Sequence, residues 1–347
     1  MDSCLLQETV NNVKEMARWD ERPHSWDIDE RYRGGLGMAL ALQGSGVANI
    51  DVASVEIRLG DDGNYTLYTG SSDMGMGANT VLTQMACEVL GCPMESMTVV
   101  ESDTDIVPFD PGSYASSTTY VTGTAAKMAA EELRAKIINK LAQFMDVSPE
   151  EIDFDGLVGM TKDGTKKMSV QELAPKLLVG TTSEQLNGFA TWGSHTSPPP
   201  FMASIAEVKV DKQTGQIIPL HMYTCVDCGT VVNPKLARVQ VEGGAVQAIG
   251  MALYEDVRYS SNGRLETNNF MTYKIPTRQD IGELHTAFVE SYEESGAYGV
   301  KSIGEIVINT ACPAIQHAVK NAVGADLRTL PMTPEKVFMA MDAKYKV

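Results

Sequence analysis

Three short stretches concentrate residues able to do chemistry. In Gly70-Ser-Ser-Asp-Met-Gly75-Met-Gly77 the glycines lie just before a helical run over 80–90. Free backbone amides there, with the helix dipole behind them, would face an anion such as a phosphate; glycines that serve only a strand-to-helix turn are the alternative. The stretch Phe109-Asp-Pro-Gly-Ser-Tyr-Ala-Ser-Ser-Thr-Thr-Tyr120 is rich in glycine and short hydroxyl side chains. A long loop of this kind suits ligand binding, and a solvated surface loop is its plain reading. In Gly299-Val-Lys-Ser-Ile-Gly304-Glu305-Ile306-Val307-Ile308 one carboxylate sits inside an apolar run, ahead of a helix predicted from about Thr310. Held between Ile303 and Ile306, Glu305 is expected to be partly desolvated, which raises a carboxyl pKa and suits proton abstraction. An ion pair with Lys301 or a solvent-facing strand position is the alternative. Cys225-Val-Asp-Cys228, with His221 four residues upstream, has the spacing of half a zinc site, but no second pair follows. Buried cysteines acting as small hydrophobes are the expectation, and no residue is assigned as a metal ligand.

The elements that must position these stretches follow from periodicity. Val55-Glu-Ile57-Arg-Leu59 and Tyr65-Thr-Leu67-Tyr alternate around Gly60-Asp-Asp-Gly63, a hairpin signature, and Ala206-Glu-Val208-Lys-Val210 with Ile217 to Cys225 repeat it around Asp211 to Gly215. Each hairpin leads through a glycine turn into a helix, over 80–90 and 236–254, although no residue-level repeat accompanies that order. The strand before Gly75 is read as half of a hairpin rather than the start of a parallel β–α–β unit. Thr98 to Glu101 adds a strand, and Lys127 to Met145 an amphipathic helix through Met128, Leu133, Ile137, Leu141 and Phe144. Ser148-Pro-Glu-Glu151 predicts a capped turn. The fold class is α+β, with antiparallel hairpins and packed helices. Residues 1–34, helical through Leu5, Leu6, Val10, Val13 and Met16 and then charged, read as a connector or an arm that packs on another chain. Ser197-Pro-Pro-Pro200 marks a boundary, giving lobes over 35–196 and 197–347.

The 347 residues include 28 Lys and Arg against 45 Asp and Glu, a formal net charge of −17, and no long basic run. That balance argues against nucleic acid or an anionic membrane as partner. No apolar stretch reaches the ~18 residues of a membrane span, no signal peptide is visible, and six unevenly spaced cysteines do not form a secreted scaffold. A cytoplasmic location is the expectation.

From about Arg33 onward the chain resembles the molybdenum hydroxylases of the xanthine dehydrogenase and aldehyde oxidase type, in the C-terminal half of their molybdopterin-binding subunit. The resemblance rests on an ordered set of motifs: Gly75-Met-Gly77; Tyr114-Ala-Ser116-Ser-Thr-Thr-Tyr120-Val-Thr-Gly123; Ala206-Glu-Val-Lys-Val210; Val226-Asp-Cys-Gly229 with Asn233-Pro234; Val241-Glu-Gly243 through Gln247; Tyr273-Lys-Ile-Pro276-Thr; and Gly299 through Gly304-Glu305. It implies that Met74, Gly75, Met76 and Gly77, with Ala115, Ser116, Ser117 and Thr118, line a pterin dinucleotide through backbone amides and short hydroxyls. Gln247 and Gly304 would lie beside it, and Glu305 would be the catalytic base. Met76 stands where many relatives place a glutamine, so one side-chain contact to the pterin is absent.

The resemblance also implies a molybdenum–molybdopterin cytosine dinucleotide shared with a larger molybdopterin-binding chain, and an N-heteroaromatic substrate, nicotinate or a purine, hydroxylated with water-derived oxygen. No matching cysteine pattern occurs here, so 2Fe-2S clusters and FAD belong to separate iron–sulfur and FAD subunits. The family's N-terminal half has no counterpart in this sequence. The expectation is therefore one of two chains dividing the molybdenum subunit, similar to the medium molybdopterin subunit of nicotinate dehydrogenase. Two other readings stay open: a non-catalytic assembly subunit, and a nucleotide-dependent oxidoreductase using Gly75-x-Gly77.

Overall fold

Alternating apolar residues and well-placed turns build the chain from two hairpins outward. The computed structural model describes residues 3–179 and 183–346. Its first half runs α1 (Leu6–Met16), β1 (Ser25–Asp27), β2 (Tyr32–Leu42), β3 (Val52–Leu59), β4 (Tyr65–Thr69), α2 (Ala78–Leu90), β5 (Met97–Glu101) and α3 (Val121–Met145). Next come β6 (Ile152–Phe154), β7 (Val158–Thr161), β8 (Lys167–Ser169), α4 (Val170–Leu177) and β9 (Asn187–Gly193). The last part holds β10 (Phe201–Asp211), β11 (Ile217–Asp227), α5 (Pro234–Leu253), β12 (Glu283–Phe288), α6 (Ala311–Val323) and α7 (Pro334–Ala340).

One compact unit comprises Gly44–Pro198 and Tyr292–Ser302. Its β3–β4 hairpin turns through Gly63 at φ 82°, and the Asp62 carboxylate accepts the Asn64 N–H at 2.9 Å. The sheet order is β5-β4-β3-β9, and β5 runs parallel to β4. β4 is thus both the second strand of a hairpin and the first strand of a β–α–β unit through α2, two roles the sequence reading treated as exclusive. Ala125, Ala126, Ala129, Leu133, Ile137 and Leu141 of α3 join the core with Val55, Ile57 and Leu67. At ~1.5–3 kcal/mol for each large apolar side chain removed from water, this face is what holds α3 to the sheet. The helix starts at Val121, ahead of the expected Lys127, because Val121 to Ala126 are small or β-branched residues that are all buried and show no amphipathic period. Ser148 and Glu151 form the expected capping box, and the small antiparallel sheet β6-β7-β8 follows.

The second unit comprises the described residues up to Gln43, Pro199–Ser291 and the described residues from Ile303. Its sheet order is β1-β2-β10-β11-β12, with β2, β10 and β11 antiparallel and β12 parallel to β11 at the edge. α6 covers one face, closely: a Cβ on Gly35 would stand 2.9 Å from the Ala322 nitrogen, and one on Gly37 would stand 2.7 Å from the His317 carbonyl carbon. α1 covers the other. Val13 and Ala17 are buried among Leu36, Ala203, Ile205 and Cys225, and the Leu5 N–H donates to Asp227 Oδ2 at 3.0 Å. The helix that opens residues 1–34, expected as part of a connector or of an arm on another chain, packs on the sheet of its own unit.

The division is not colinear with the segments 1–34, 35–196 and 197–347. The change at Pro198–Pro199 falls inside the expected Pro-rich boundary, but β2 pairs with β10 and so carries the N-terminal segment into the same unit as 199–291. Among the described residues no helix is long and apolar enough to cross a membrane.

Candidate functional site

β4 delivers the chain into the loop Gly70–Gly77, and Gly77, at φ 82°, starts α2. Inside this loop the Asp73 carboxylate gathers the amides. Its Oδ1 accepts the N–H of Gly75 at 2.9 Å and of Gly77 at 3.0 Å, and its Oδ2 accepts the N–H of Asn79 at 3.3 Å. Asp73 is fixed in turn by its own N–H, which donates to Glu101 Oε2 at 2.9 Å. The negative charge that the α2 dipole favours is thus supplied by the chain itself. This corrects the expectation of free amides at Gly75 and Gly77; an aspartate two residues before a glycine turn is the sequence signal for it. Met74 projects outward as an exposed side chain, while Met76 is half-buried and its Sδ lies 3.3 Å from the Met74 nitrogen. Gly75, at φ 103°, has no heavy atom within 4 Å of the place a Cβ would take. In the first turn of α2, Asn79 Oδ1 is buried without a hydrogen-bond donor.

The second loop is brought against the first. Ser102 Oγ donates to Ser72 Oγ at 2.9 Å, and Ser113 Oγ donates to Ser72 O at 3.3 Å. Ala115 and Ser116 then occupy the left-handed region at φ 51° and 56°, which costs a non-glycine residue about 1–3 kcal/mol. The surroundings that hold them there are specific. The Gly46 N–H donates to Ala115 O at 2.9 Å, Ser117 Oγ donates to Gly112 O at 3.3 Å, and Tyr114 OH donates to Asp51 Oδ1 at 2.5 Å. Ser116, Ser117 and Thr118 are buried, Ala115 is half-buried, and Gly112 again has open space where a Cβ would sit. Burial pushes the Asp110 carboxyl above its ordinary range, against the Gly112 N–H and Thr122 hydroxyl that donate to it.

Glu305 lies in the other unit, where Gly304-Glu305 closes a turn before a single 3₁₀ turn over Ile306–Ile308 and then α6. Ile306 and Val307 are buried with Met202, Val226, Cys228 and Val241, which anchors the turn while Glu305 stays exposed. The desolvation expected between Ile303 and Ile306 is therefore absent in this chain, and the segment is a turn rather than a strand. Glu305 Oε2 accepts the Gln43 side-chain N–H at 3.1 Å, and Gln43 Oε1 accepts from Asn309 at 3.3 Å. On α5 it is Gln240 whose amide reaches Gly304 O, at 3.3 Å; Gln247 stands exposed further along the helix. Gln43 and Gln240 escaped the sequence reading because each is far from Glu305 along the chain and neither lies in a distinctive pattern. Cys225 and Cys228 are buried as expected, and burial pushes the Cys225 thiol up to about 12.

Residues 12–282 match the family described as molybdopterin cofactor-binding domain. The chain is similar to a probable hypoxanthine oxidase of Escherichia coli, 36% identical over 345 residues that make up 98% of this chain and 35% of that protein. It is also similar to a putative xanthine dehydrogenase molybdenum-binding subunit of the same organism, 31% identical over 97% of this chain and 46% of that one. Among solved structures, quinoline 2-oxidoreductase from Pseudomonas putida superposes with a TM-score of 0.85 over 97% of this chain and 45% of its own, at 24% identity. The chain thus spans about a third to a half of the length of these relatives.

Proposed function

Because this chain belongs to the molybdenum hydroxylases, as a molybdopterin-binding subunit, we propose that it holds a molybdenum–molybdopterin cytosine dinucleotide together with a larger molybdopterin-binding chain. The reaction is hydroxylation of an N-heteroaromatic ring with water-derived oxygen, in the cytoplasm, with electrons leaving through 2Fe-2S and FAD subunits. Two similar proteins carry purine names, so a purine is the first substrate to test and nicotinate the second.

The observation that carries the reading is the meeting of the loops 70–77 and 109–118 through the Ser113 hydroxyl on Ser72 O, with Ala115 and Ser116 of the second loop held in a strained backbone. The residues present fit such a group. Clear space over Gly75 and Gly112 admits a flat ring or a phosphate against the backbone, and the orphaned Asn79 Oδ1 is an acceptor for an amino-bearing heterocycle. Since Asp73 engages the amides of Gly75 and Gly77, contacts to the cofactor come from Met74, Met76 and the side of the loop facing Ser113 to Thr118, and the family resemblance adds Gln247 and Gly304. When bound, the cofactor supplies two-electron redox chemistry and an activated oxygen derived from water. Glu305 acts as the base, holding the abstracted proton at Oε2, and Gln43 orients the carboxylate through its amide. This chain leaves Glu305 exposed, so the exclusion of water around it falls to substrate and partner chain.

The test is elemental mass spectrometry of the chain purified from its native host with its bound partners, with identification of the nucleotide released from the cofactor. About one molybdenum per chain, a cytidine nucleotide and turnover of hypoxanthine or nicotinate are expected. An intact complex without molybdenum would leave this chain the role of an assembly subunit.

A further inference from the structure

Across the β11–β12 pair three metal-ligating side chains converge. In the parallel register His221 lies opposite Glu283, and Tyr223 lies opposite His285, so all four residues share one face of the sheet at its edge strand. His221 Nδ1 is 3.1 Å from His285 Nε2 and 3.5 Å from Glu283 Oε2, and His285 Nε2 is 3.8 Å from the same carboxylate oxygen. The circle through three atoms with these separations has a radius of about 2.0 Å. That is the bond length of imidazole nitrogen and carboxylate oxygen to zinc, ~2.0–2.2 Å.

We propose that His221, Glu283 and His285 bind a late first-row divalent cation of the zinc class, independently of the molybdopterin reading. An ion at the centre of the triangle lies about 2.0 Å from all three atoms and displaces the proton that the two imidazoles share in their hydrogen bond. A slight displacement toward solvent leaves a fourth position for water, which the edge location of β12 keeps open. Two imidazoles and one carboxylate suit zinc, nickel, cobalt or copper rather than magnesium or calcium, which take oxygen ligands. Tyr223 stacks on the His285 ring at 4.7 Å and 13°, which fixes that ligand's orientation. Glu283 is 67% exposed and the histidine side chains are 33% and 37% exposed, so an ion can enter from solvent. Glu207, opposite His221 on β10, is held by Arg22 at 2.5 Å and stays outside the set. The bound ion clamps the edge strand β12 to β11.

Zinc titration of the purified full chain by calorimetry, with X-ray absorption on the loaded protein, tests this. Expected are one zinc per chain, two imidazoles and one carboxylate oxygen in the first shell, and a melting temperature raised by a few degrees. His285→Ala and Glu283→Gln, each checked for native circular dichroism, should weaken binding ~10–100-fold or more. Sulfur in the first shell, unchanged affinity in both variants, or no uptake at about millimolar zinc overturns the site. X-ray absorption on the unmutated chain decides the ligands even where a variant fails to fold. Zinc and molybdenum are counted as separate elements, so failure of this site and failure of the cofactor reading are told apart.

Discussion

In one unit β3, β4, α2, β5 and α3 follow one another as hairpin, helix, parallel edge strand, long loop and second helix. In the other, β10, β11, α5, β12 and α6 do the same, and the strand orders β5-β4-β3 and β12-β11-β10 correspond. The long loop falls at the same point in both: Ala115 to Thr118 stand just ahead of α3, and Gly304-Glu305 stand just ahead of α6. The contents differ. The first loop offers a strained backbone and buried hydroxyls, which suits holding a large ligand; the second offers one exposed carboxylate on an anchored turn, which suits proton transfer. The first joint differs too, since α2 begins on glycine with Asp73 beneath it, whereas α5 is capped by Asn233 with Pro234 behind it. One topology thus places loops of two kinds at equivalent positions, which differ in backbone strain, burial and side-chain chemistry.

The sharpest way to break that division is Glu305→Gln in the assembled enzyme. Turnover per molybdenum should fall at least ~10²-fold with metal content unchanged, as for loss of a general base. Zinc affinity should stay within about twofold, because Glu305 is not among the three converging ligands. Turnover within tenfold of the unmutated enzyme would remove the chemistry from this loop. Ser117→Ala in the equivalent loop should act differently, lowering molybdenum per chain while each retained molybdenum turns over at the normal rate.

A smaller effect contrasts how the two units support their second loops. A Cβ on Gly244 of α5 would stand 2.7 Å from Val307 Cβ and 3.0 Å from its backbone carbon, a stiff obstacle directly behind the Glu305 turn. On Gly123 of α3 it would stand 2.6 Å from Met85 Sδ, the flexible end of a side chain. Overpacking costs ~1–3 kcal/mol, and replacing glycine by alanine within a helix returns up to ~1. Gly244→Ala should therefore lower unfolding stability by about 1–2 kcal/mol, and Gly123→Ala should change it by less than about 0.5, both read by denaturant titration.

Both hairpins were legible in the sequence because alternation and Asp-Gly or Thr-Gly turns are local signals, and both site loops because their composition is unusual. β12 was not legible. Glu283-Leu-His-Thr-Ala-Phe288 has no clean alternation, and its partner is set by a crossover rather than by a turn. β5 was legible as a strand over 98–101, but the parallel pairing in each sheet, and with it the meeting of His221 and His285, was not, because a crossover sets the partner. Local pattern also does not report which acceptor a loop amide will find. Asp73 could be seen in the loop, but its capture of the Gly75 and Gly77 amides depends on the folded turn. Glu305 was found through an ordered set of motifs, while its exposure is decided by Ile306 and Val307 turning inward beneath α5.

The smallest expected effect compares the two hairpin turns under acid. Asp62 and Asp211 each accept a backbone amide two residues on, at 2.9 and 2.8 Å, but only Asp211 is buried and also bound by a cation, at 2.5 Å from Arg31 Nη2. Arg31's hydrogen bonds hold the Asp211 carboxyl below the usual carboxylate range, and the Asn64 amides do the same for exposed Asp62. A depressed carboxyl contributes stability that is complete above the unfolded-state value of ~3.9 and disappears as pH falls through the folded-state value. Asp211→Asn should therefore lower the melting temperature at neutral pH and flatten its decline below about pH 4. The half-exposed Arg31 keeps the effect small, because solvent screens the pair. Asp62→Asn keeps the turn acceptor and, because Asp62 is exposed and screened by solvent, should flatten the acid limb less than Asp211→Asn does. An acid limb unchanged in Asp211→Asn would show that the Arg31 pair contributes nothing in solution, and that the two hairpins are fastened by backbone pairing alone.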